Sequence, residues 1–449
     1  MGTSDERRGE LIEKGITVVT LEEKERVTIN SLISDKGGQG DVYHVSYREK
    51  NYAMKWYCKH DEDVIDGPQY ETIKKIYGEG KKPDDKFIWP LFMVTEERGK
   101  RFGYLMELLP KGYYEMADFL RKDGDSQAIR FKSYNAMLVA GMNIAYEMQK
   151  LHLKGYSYKD LNPKNFAINP ETGDVLIIDN DNVSVEGKSC TVKGTHGYMA
   201  PEVVRNNGNP RRGTDYYSLA VILYRLFFID HPMEGKLWEK VAVCSEEEEE
   251  RLYEIEPVFH FDPKDNRNRP TDVYAPNAVR RWRVLPQEIR PFFIDTFTEG
   301  IDHPNKRWAD GAWINAIAKC RDKLIRLKGG AEQFVNFEDA ASIPARCLGM
   351  KIGGHRIALY HGKAIYQVSV DGNTNQYARK VAGILDNQQL GVLTLRNLTD
   401  EAFRGWSPRT KQWTVIPKGK DYPVFPGVKI EFREKPCITG EVFDVRVRR

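Results

Sequence analysis

Four short strings, standing one after another along the chain, carry residue types suited to phosphate and metal chemistry: KGGQGDV at 36–42, YAMK at 52–55, YKDLNPKN at 158–165 and IIDND at 177–181. Gly37, Gly38 and Gly40 lie between two β-rich runs, where a backbone without Cβ can approach phosphate oxygens and aim N–H groups at them. Lys55 follows apolar Ala53 and Met54, a pattern that turns its ammonium toward a pocket. Asp160 and Asn165 share one loop, and Asp179 ends a hydrophobic strand 14 residues after Asn165 (179 − 165). Oxygen donors of this kind suit a hard divalent cation. A lone glycine loop is common by chance, but the ordered series has few accidental explanations.

These side chains need a small sheet and a helical body to hold them. ITVVT, RVTINSLI, DVYHVSYR and NYAMKWY, within residues 16–58, read as strands divided by charged or glycine-rich breaks. In QYETIKKIYGEG, Tyr70, Ile73 and Tyr77 recur at helical spacing, and Gly78 and Gly80 supply the stop. FIWPLFMVTEE and RFGYLMELL (87–97 and 101–109) predict two more strands. From about 115 the periodicity becomes helical, clearest in SYNAMLVAGMNIAYEMQKLHLKG. Helical patterns recur at 214–230, 235–243, 286–298 and 310–327, and the acidic run at 246–250 reads as a solvated face or loop. After Lys328-Gly329-Gly330, the runs RIALYHG, AIYQVSV, GVLTLRN, QWTVIPKG and GVKIEF predict an all-β unit.

Composition narrows the function classes. The chain has 449 residues, enough for two or three domains, with 30% charged and 41% hydrophobic residues, an ordinary soluble balance. The net charge of +3 is spread over mixed signs, so no nucleic-acid footprint is evident. Six widely spaced cysteines, without a C-x-x-C pair, fit free thiols in a reducing cytoplasm. The most apolar run, 219–229, is too short to span a bilayer and holds Arg225, so no membrane segment is expected.

The four strings together resemble the protein-kinase catalytic core. GTHGYMAPEV at 194–203 strengthens the resemblance, being close to the Ser/Thr-kinase P+1 loop and its Ala-Pro-Glu ending. By that resemblance, Gly37, Gly38, Gly40 and Val42 would cover the nucleotide, and Lys55 would pair its α/β-phosphates. A carboxylate before or on the next helix would hold Lys55: Glu71 is the first candidate, with Glu62 and Asp63 as alternatives. Met106 matches the gatekeeper, and adenine would meet backbone from Glu107 to Leu109. Asp160 would orient the substrate hydroxyl, Asn165 and Asp179 would hold Mg²⁺ or Mn²⁺ with ATP, and Thr195 would hydrogen-bond near Asp160. Glu202 would pair with Arg307, and Asp215 would tie down the catalytic loop. Ser184, Ser189 and Thr191 are candidate phosphorylation sites.

The chain departs from the family pattern at several of these positions. Asp35 replaces a glycine of the cover loop, and Tyr158 and Lys159 replace the usual His and Arg. Asn162 stands where Ser/Thr kinases place a lysine, and Lys164 would supply that charge. Asn180-Asp181 replaces Phe-Gly; Asp181 would hold a cation or, as we expect, hydrogen-bond locally. The resulting expectation is an α+β fold: an N-terminal extension at 1–27, a bilobal kinase-like body with lobes at 28–109 and 110–328, then an all-β sandwich at 335–449. LGVLTLRNLTDEAF with PKGKDYPVFPGVKIEF resembles part of a forkhead-associated (FHA) sandwich. The expected activity is transfer of the γ-phosphate of Mg·ATP to Ser or Thr, including residues of the chain itself, in a bacterial cytoplasm. A pseudokinase scaffold is the alternative. YKDLNPKN and DNDN resemble atypical bacterial kinases found beside metal-dependent phosphatases and von Willebrand A proteins, which would make such proteins its partners.

Overall fold

The computed structural model describes residues 9–35, 40–79, 82–121, 125–158, 160–185, 194–205, 208–241, 244–327, 329–339, 347–389 and 391–445. Gly37, Gly38, Lys159, Ser189 and Thr191 lie outside these residues, as does the side chain of Ser184. The chain forms two compact units: Met1–Glu115 with Lys164–Ala167 and Val175–Val183, and Met116–Pro163 with Ile168–Asp174 and Ser184–Arg449.

In the first unit, α1 (Gly9–Glu13) precedes β1 (Val18–Thr20), β2 (Arg26–Ser34), β3 (Gly40–Tyr47) and β4 (Lys50–Tyr57). Helix α2 (Pro68–Glu79) follows, then β5 (Phe92–Glu96) and β6 (Phe102–Met106). The strands close into a barrel in the order β1-β2-β3-β4-β6-β5. Alternation along β4 decides what faces where. Met54 and Trp56 enter the barrel core with Val45, Val94 and Leu105, which leaves Lys55 and Tyr57 together on the opposite face. Gly40 is required for packing: a Cβ there would meet the Trp56 carbonyl oxygen at 2.1 Å. Of FIWPLFMVTEE, only the second half is a strand. Phe87 instead bridges Ile177 in parallel, and the Ile88 N–H donates to the Ile177 carbonyl at 2.9 Å.

The second unit is built on the helix Tyr134–Leu153, whose N-cap Ser133 accepts the Ala136 N–H at 3.0 Å. The helices Arg212–Phe228 and Asp310–Asp322 pack beside it. Two helical expectations are corrected. The pattern at 235–243 yields only a 3₁₀ turn, Trp238–Lys240, because Gly235 packs directly on the Asn268 carbonyl and buried Trp238 donates to the Met233 carbonyl at 2.9 Å. The helix expected over 310–327 stops at Asp322, and Leu324–Arg326 pairs with Glu332–Phe334 as a strand.

The all-β part of the second unit has a six-stranded and a four-stranded sheet around a core that includes Met350, Ile357, Ile384, Leu395, Ile430 and Val442. AIYQVSV, expected as one strand, turns after Tyr366 into a short helix, Gln367–Asp371. The turn presents Ser369, which donates to Asp322 Oδ1 at 3.0 Å. The Lys363 ammonium donates to the carbonyls of Arg321 (2.7 Å) and Leu324 (3.1 Å), capping the end of the helix Asp310–Asp322. The Arg321 guanidinium lies 3.6 Å from the centroid of the Tyr366 ring and donates to the Tyr377 carbonyl. Among the described residues no helix is long and apolar enough to cross a membrane.

Candidate active site

Lys55, expected to bind phosphate, sits in the first unit in a nearly dry cluster. Lys55 Nζ pairs with Asp179 and lies 2.7 Å from Asp181 Oδ2. The Tyr57 hydroxyl donates to the same Asp181 oxygen. The side chains of Lys55 and Asp181 are 7% and 0% exposed, that of Asp179 38%. Buried ions of this kind hold only when paired and hydrogen-bonded. Burial alone would pull Lys55 down, but the carboxylates of Asp179 and Asp181 outweigh it and hold the ammonium above its usual range. Two carboxylates share that one lysine, so they titrate apart. Burial and the Asp181 charge push Asp179 up to about 6, while the Lys55 and Tyr57 contacts hold Asp181 low against its own burial.

The turn that carries these carboxylates is fixed by the residue replacing phenylalanine. Asp179 takes a left-handed conformation (φ 60°), accessible to Asp at modest cost, and a 3₁₀ turn over Asn180–Asn182 follows. The buried Asn180 amide donates to the carbonyls of Ile88 (2.7 Å) and Ile177 (3.0 Å), so polar pins replace an apolar plug. Asn165, also buried, accepts the Ile178 N–H on its backbone carbonyl at 2.8 Å, which sets it beside Asp179. Among the described residues no three His, Cys, Asp or Glu side chains converge on a metal position. An amide and a carboxylate offer oxygen donors of the kind a hard divalent cation takes.

Two expectations about this cluster are corrected. Glu71 does not hold Lys55: its side chain is 57% exposed and lies 3.8 Å from Lys74, because α2 turns Tyr70 and Ile73 inward. Of the alternatives, Glu62 is exposed, and buried Asp63 accepts the His60 N–H at 3.1 Å. Asp181, expected to bond locally, instead reaches across 126 residues of sequence to Lys55. Tyr57 was missed altogether, although its place two residues after Lys55 on one strand face signals it.

The other described residues of this unit that were expected to meet the nucleotide lie as follows. Val42 pairs with Lys55 across β3 and β4. Met106 ends β6 over a small apolar floor of Ile88, Ala167 and Leu176. Glu107, Leu109 and Lys164 are exposed.

In the second unit, Asp160 is the centre of a compact network. Its Oδ1 accepts from the Thr195 N–H (2.8 Å) and hydroxyl (2.7 Å), and its Oδ2 accepts from Asn162 Nδ2 at 3.1 Å. The Asn162 amide also lies 3.3 Å from Thr195 Oγ1. Asp215 Oδ2 accepts the Tyr158 N–H at 2.8 Å, tethering the loop backbone as expected. Glu202 and Arg307 form a bidentate pair at 2.7 and 2.8 Å. Sequence reasoning missed Glu254, which accepts the Gly197 N–H at 2.7 Å and is pushed up to about 7 by burial. His231 donates to the Gly197 carbonyl at 2.7 Å, so the P+1 segment is held from both sides.

The protein kinase domain family model matches residues 35–293, more than half of the chain. The chain belongs to the protein kinase family. It is 31% identical over 167 residues to a probable cAMP-dependent protein kinase catalytic subunit of Encephalitozoon cuniculi, covering 36% of this chain and 46% of that protein. It is 30% identical over 190 residues to the mouse (Mus musculus) cAMP-dependent protein kinase catalytic subunit PRKX, covering 40% and 50%. Against mouse cGMP-dependent protein kinase 2 it is 30% identical over 207 residues, covering 44% and 25%. The chain thus spans half or less of the length of these curated relatives. A solved ROP18 kinase domain, in complex with AMP-PNP and sucrose, has a TM-score of 0.47 at 16% identity over 68% of this chain and 83% of that one.

Proposed function

We propose that this kinase-family chain transfers the γ-phosphate of ATP to serine or threonine hydroxyls of proteins, its own included. The observation that carries this reading is the presence of two local devices, one in each unit: Lys55 with Asp179, and Asp160 held by Thr195 and Asn162. In this reading Asp160 Oδ2 orients the acceptor hydroxyl and takes its proton as the hydroxyl oxygen attacks the γ-phosphorus and the bond to the ADP oxygen breaks. Lys55 binds the α/β-phosphates, and the backbone near Met106 receives adenine. Asn165 and Asp179 would hold Mg²⁺ or Mn²⁺, which when bound offsets the charge of the phosphate oxygens. Lys164 would supply the γ-phosphate cation that Asn162 does not. The all-β region serves in this reading as an FHA-like docking module, with a metal-dependent phosphatase or a von Willebrand A protein as its partner class.

The test is γ-labelled ATP with purified chain under Mg²⁺ and under Mn²⁺, followed by phosphoamino-acid analysis. Wild type is expected to accumulate phosphoserine or phosphothreonine, and Asp160→Asn to lose about 100-fold or more, the usual scale for a removed acid–base group. Equal label in wild type, Asp160→Asn and Asp179→Ala would refute catalysis and leave a nucleotide-binding scaffold.

A further inference from the structure

We propose that Asp181, and not a carboxylate of α2, is the fixed counter-ion that holds Lys55 at its phosphate-binding position. The proposal rests on the kinase reading and concerns how the lysine is kept in place during turnover. In that reading Asp179 is a metal ligand, so its carboxylate is not a permanent partner for Lys55. Asp181 is one: it is fully buried, lies 2.7 Å from Nζ, and receives a second donor from the Tyr57 hydroxyl.

Tyr57 is itself fully buried and packed against the cluster's rings. Its ring stacks on Phe102 at 4.8 Å between centroids, and Tyr70 of α2 meets Phe102 edge-on at 5.2 Å. The hydrophobic cluster that includes Tyr57, Tyr70, Ile73, Phe102 and Tyr104 therefore clamps both the hydroxyl that orients Asp181 and the inner face of α2. Bringing Glu71 into the place of Tyr70 would require rotating the helix by one residue, about 100°, and would draw Tyr70 and Ile73 out of that cluster. The anchor comes from the turn after the metal-site strand, so the lysine is positioned without any movement of α2. Asp181 acts through Lys55 and is a positioning residue.

The experiment measures steady-state transfer from γ-labelled ATP to casein by the full chain. Asp181→Asn, nearly isosteric, is expected to lower kcat by about tenfold or more with a smaller change in KM for ATP, because a misplaced cation is felt most in the transition state. Glu71→Gln is expected to stay within about twofold of wild type. Lys55→Met with Asp181→Asn is expected to be no slower than Lys55→Met alone, since no ammonium remains to be positioned.

A loss in Glu71→Gln as large as that in Asp181→Asn would overturn the proposal and return the role to α2. Additive losses in the double variant would also overturn it, marking Asp181 as structural only. Should wild type transfer no more phosphate than Asp160→Asn, the kinase reading fails by itself. The anchor is then read in nucleotide-free protein by urea denaturation: coupling of Lys55 to Asp181 and none to Glu71 supports it, and no coupling to Asp181 overturns it.

Discussion

Asn162 turns an apparent loss into a different kind of support. A lysine at that position would extend toward a phosphate, whereas the shorter amide stays home and bonds both Asp160 Oδ2 and Thr195 Oγ1. Its contribution is orientation, so its removal should be felt in the chemical step. Asn162→Ala is expected to reduce kcat about tenfold while KM for ATP changes little, a split that steady-state kinetics resolves. The contacts of Thr195 with Asp160, Glu202 with Arg307 and Asp215 with the loop backbone were anticipated because the kinase resemblance supplies those positions. The Asp181 contact was missed because nothing local in DND tells how a left-handed Asp179 will aim the residue two positions later. The Glu71 expectation failed for a related reason: helical spacing shows that α2 has an apolar face but not where that face comes to rest.

Three helices meet at His152. It lies on the helix Tyr134–Leu153, between Asp215 of Arg212–Phe228 (3.1 Å) and Asp310 of Asp310–Asp322 (2.8 Å). Arg212 donates to its carbonyl, and the Tyr216 ring packs edge-on against it. Burial opposes its charge, but the two carboxylates prevail and push His152 up to about 9, while burial pushes Asp215 up to about 6. A histidine raised in the folded state gives stability that is complete below its unfolded value near 6.5 and is lost as pH climbs to about 9. Urea unfolding should therefore show stability falling over that window by up to about 3 kcal/mol, from about 1.4 kcal/mol per unit. In His152→Gln the slope should be much flatter. At this scale most elements were legible, since strands such as Gly40–Tyr47 and Lys50–Tyr57 are β-rich runs between charged or glycine-rich breaks and Tyr134–Leu153 carries a capped apolar stripe. The end of Asp310–Asp322 was not, because apolar Leu324 and Ile325 continue a helical spacing that the strand Glu332–Phe334 interrupts from outside.

Within the second unit, the all-β region is joined to the helices by buried polar bonds and not by apolar contact alone. Lys363 is the centre of that joint, capping carbonyls of Arg321 and Leu324. Lys363→Met keeps the stem and removes the donor, leaving two buried acceptors unserved, and is expected to cost about 2–4 kcal/mol, read as a lowered midpoint in thermal denaturation. Tyr377 adds a second fastening: its hydroxyl donates to Asn143, whose amide donates to the Gly173 carbonyl at 2.7 Å. Gly173, with φ 75° and no room for a Cβ against the Ala136 carbonyl, belongs to the hairpin between Asn165 and Asp179. A sandwich riding on a flexible tether would sweep a volume and present whatever it carries at a concentration set by linker length. One bolted to the helix Asp310–Asp322 sweeps nothing. In the docking reading proposed above, cargo would meet those helices from a single direction at a single reach, and acceptor choice would follow where on the cargo the hydroxyl lies.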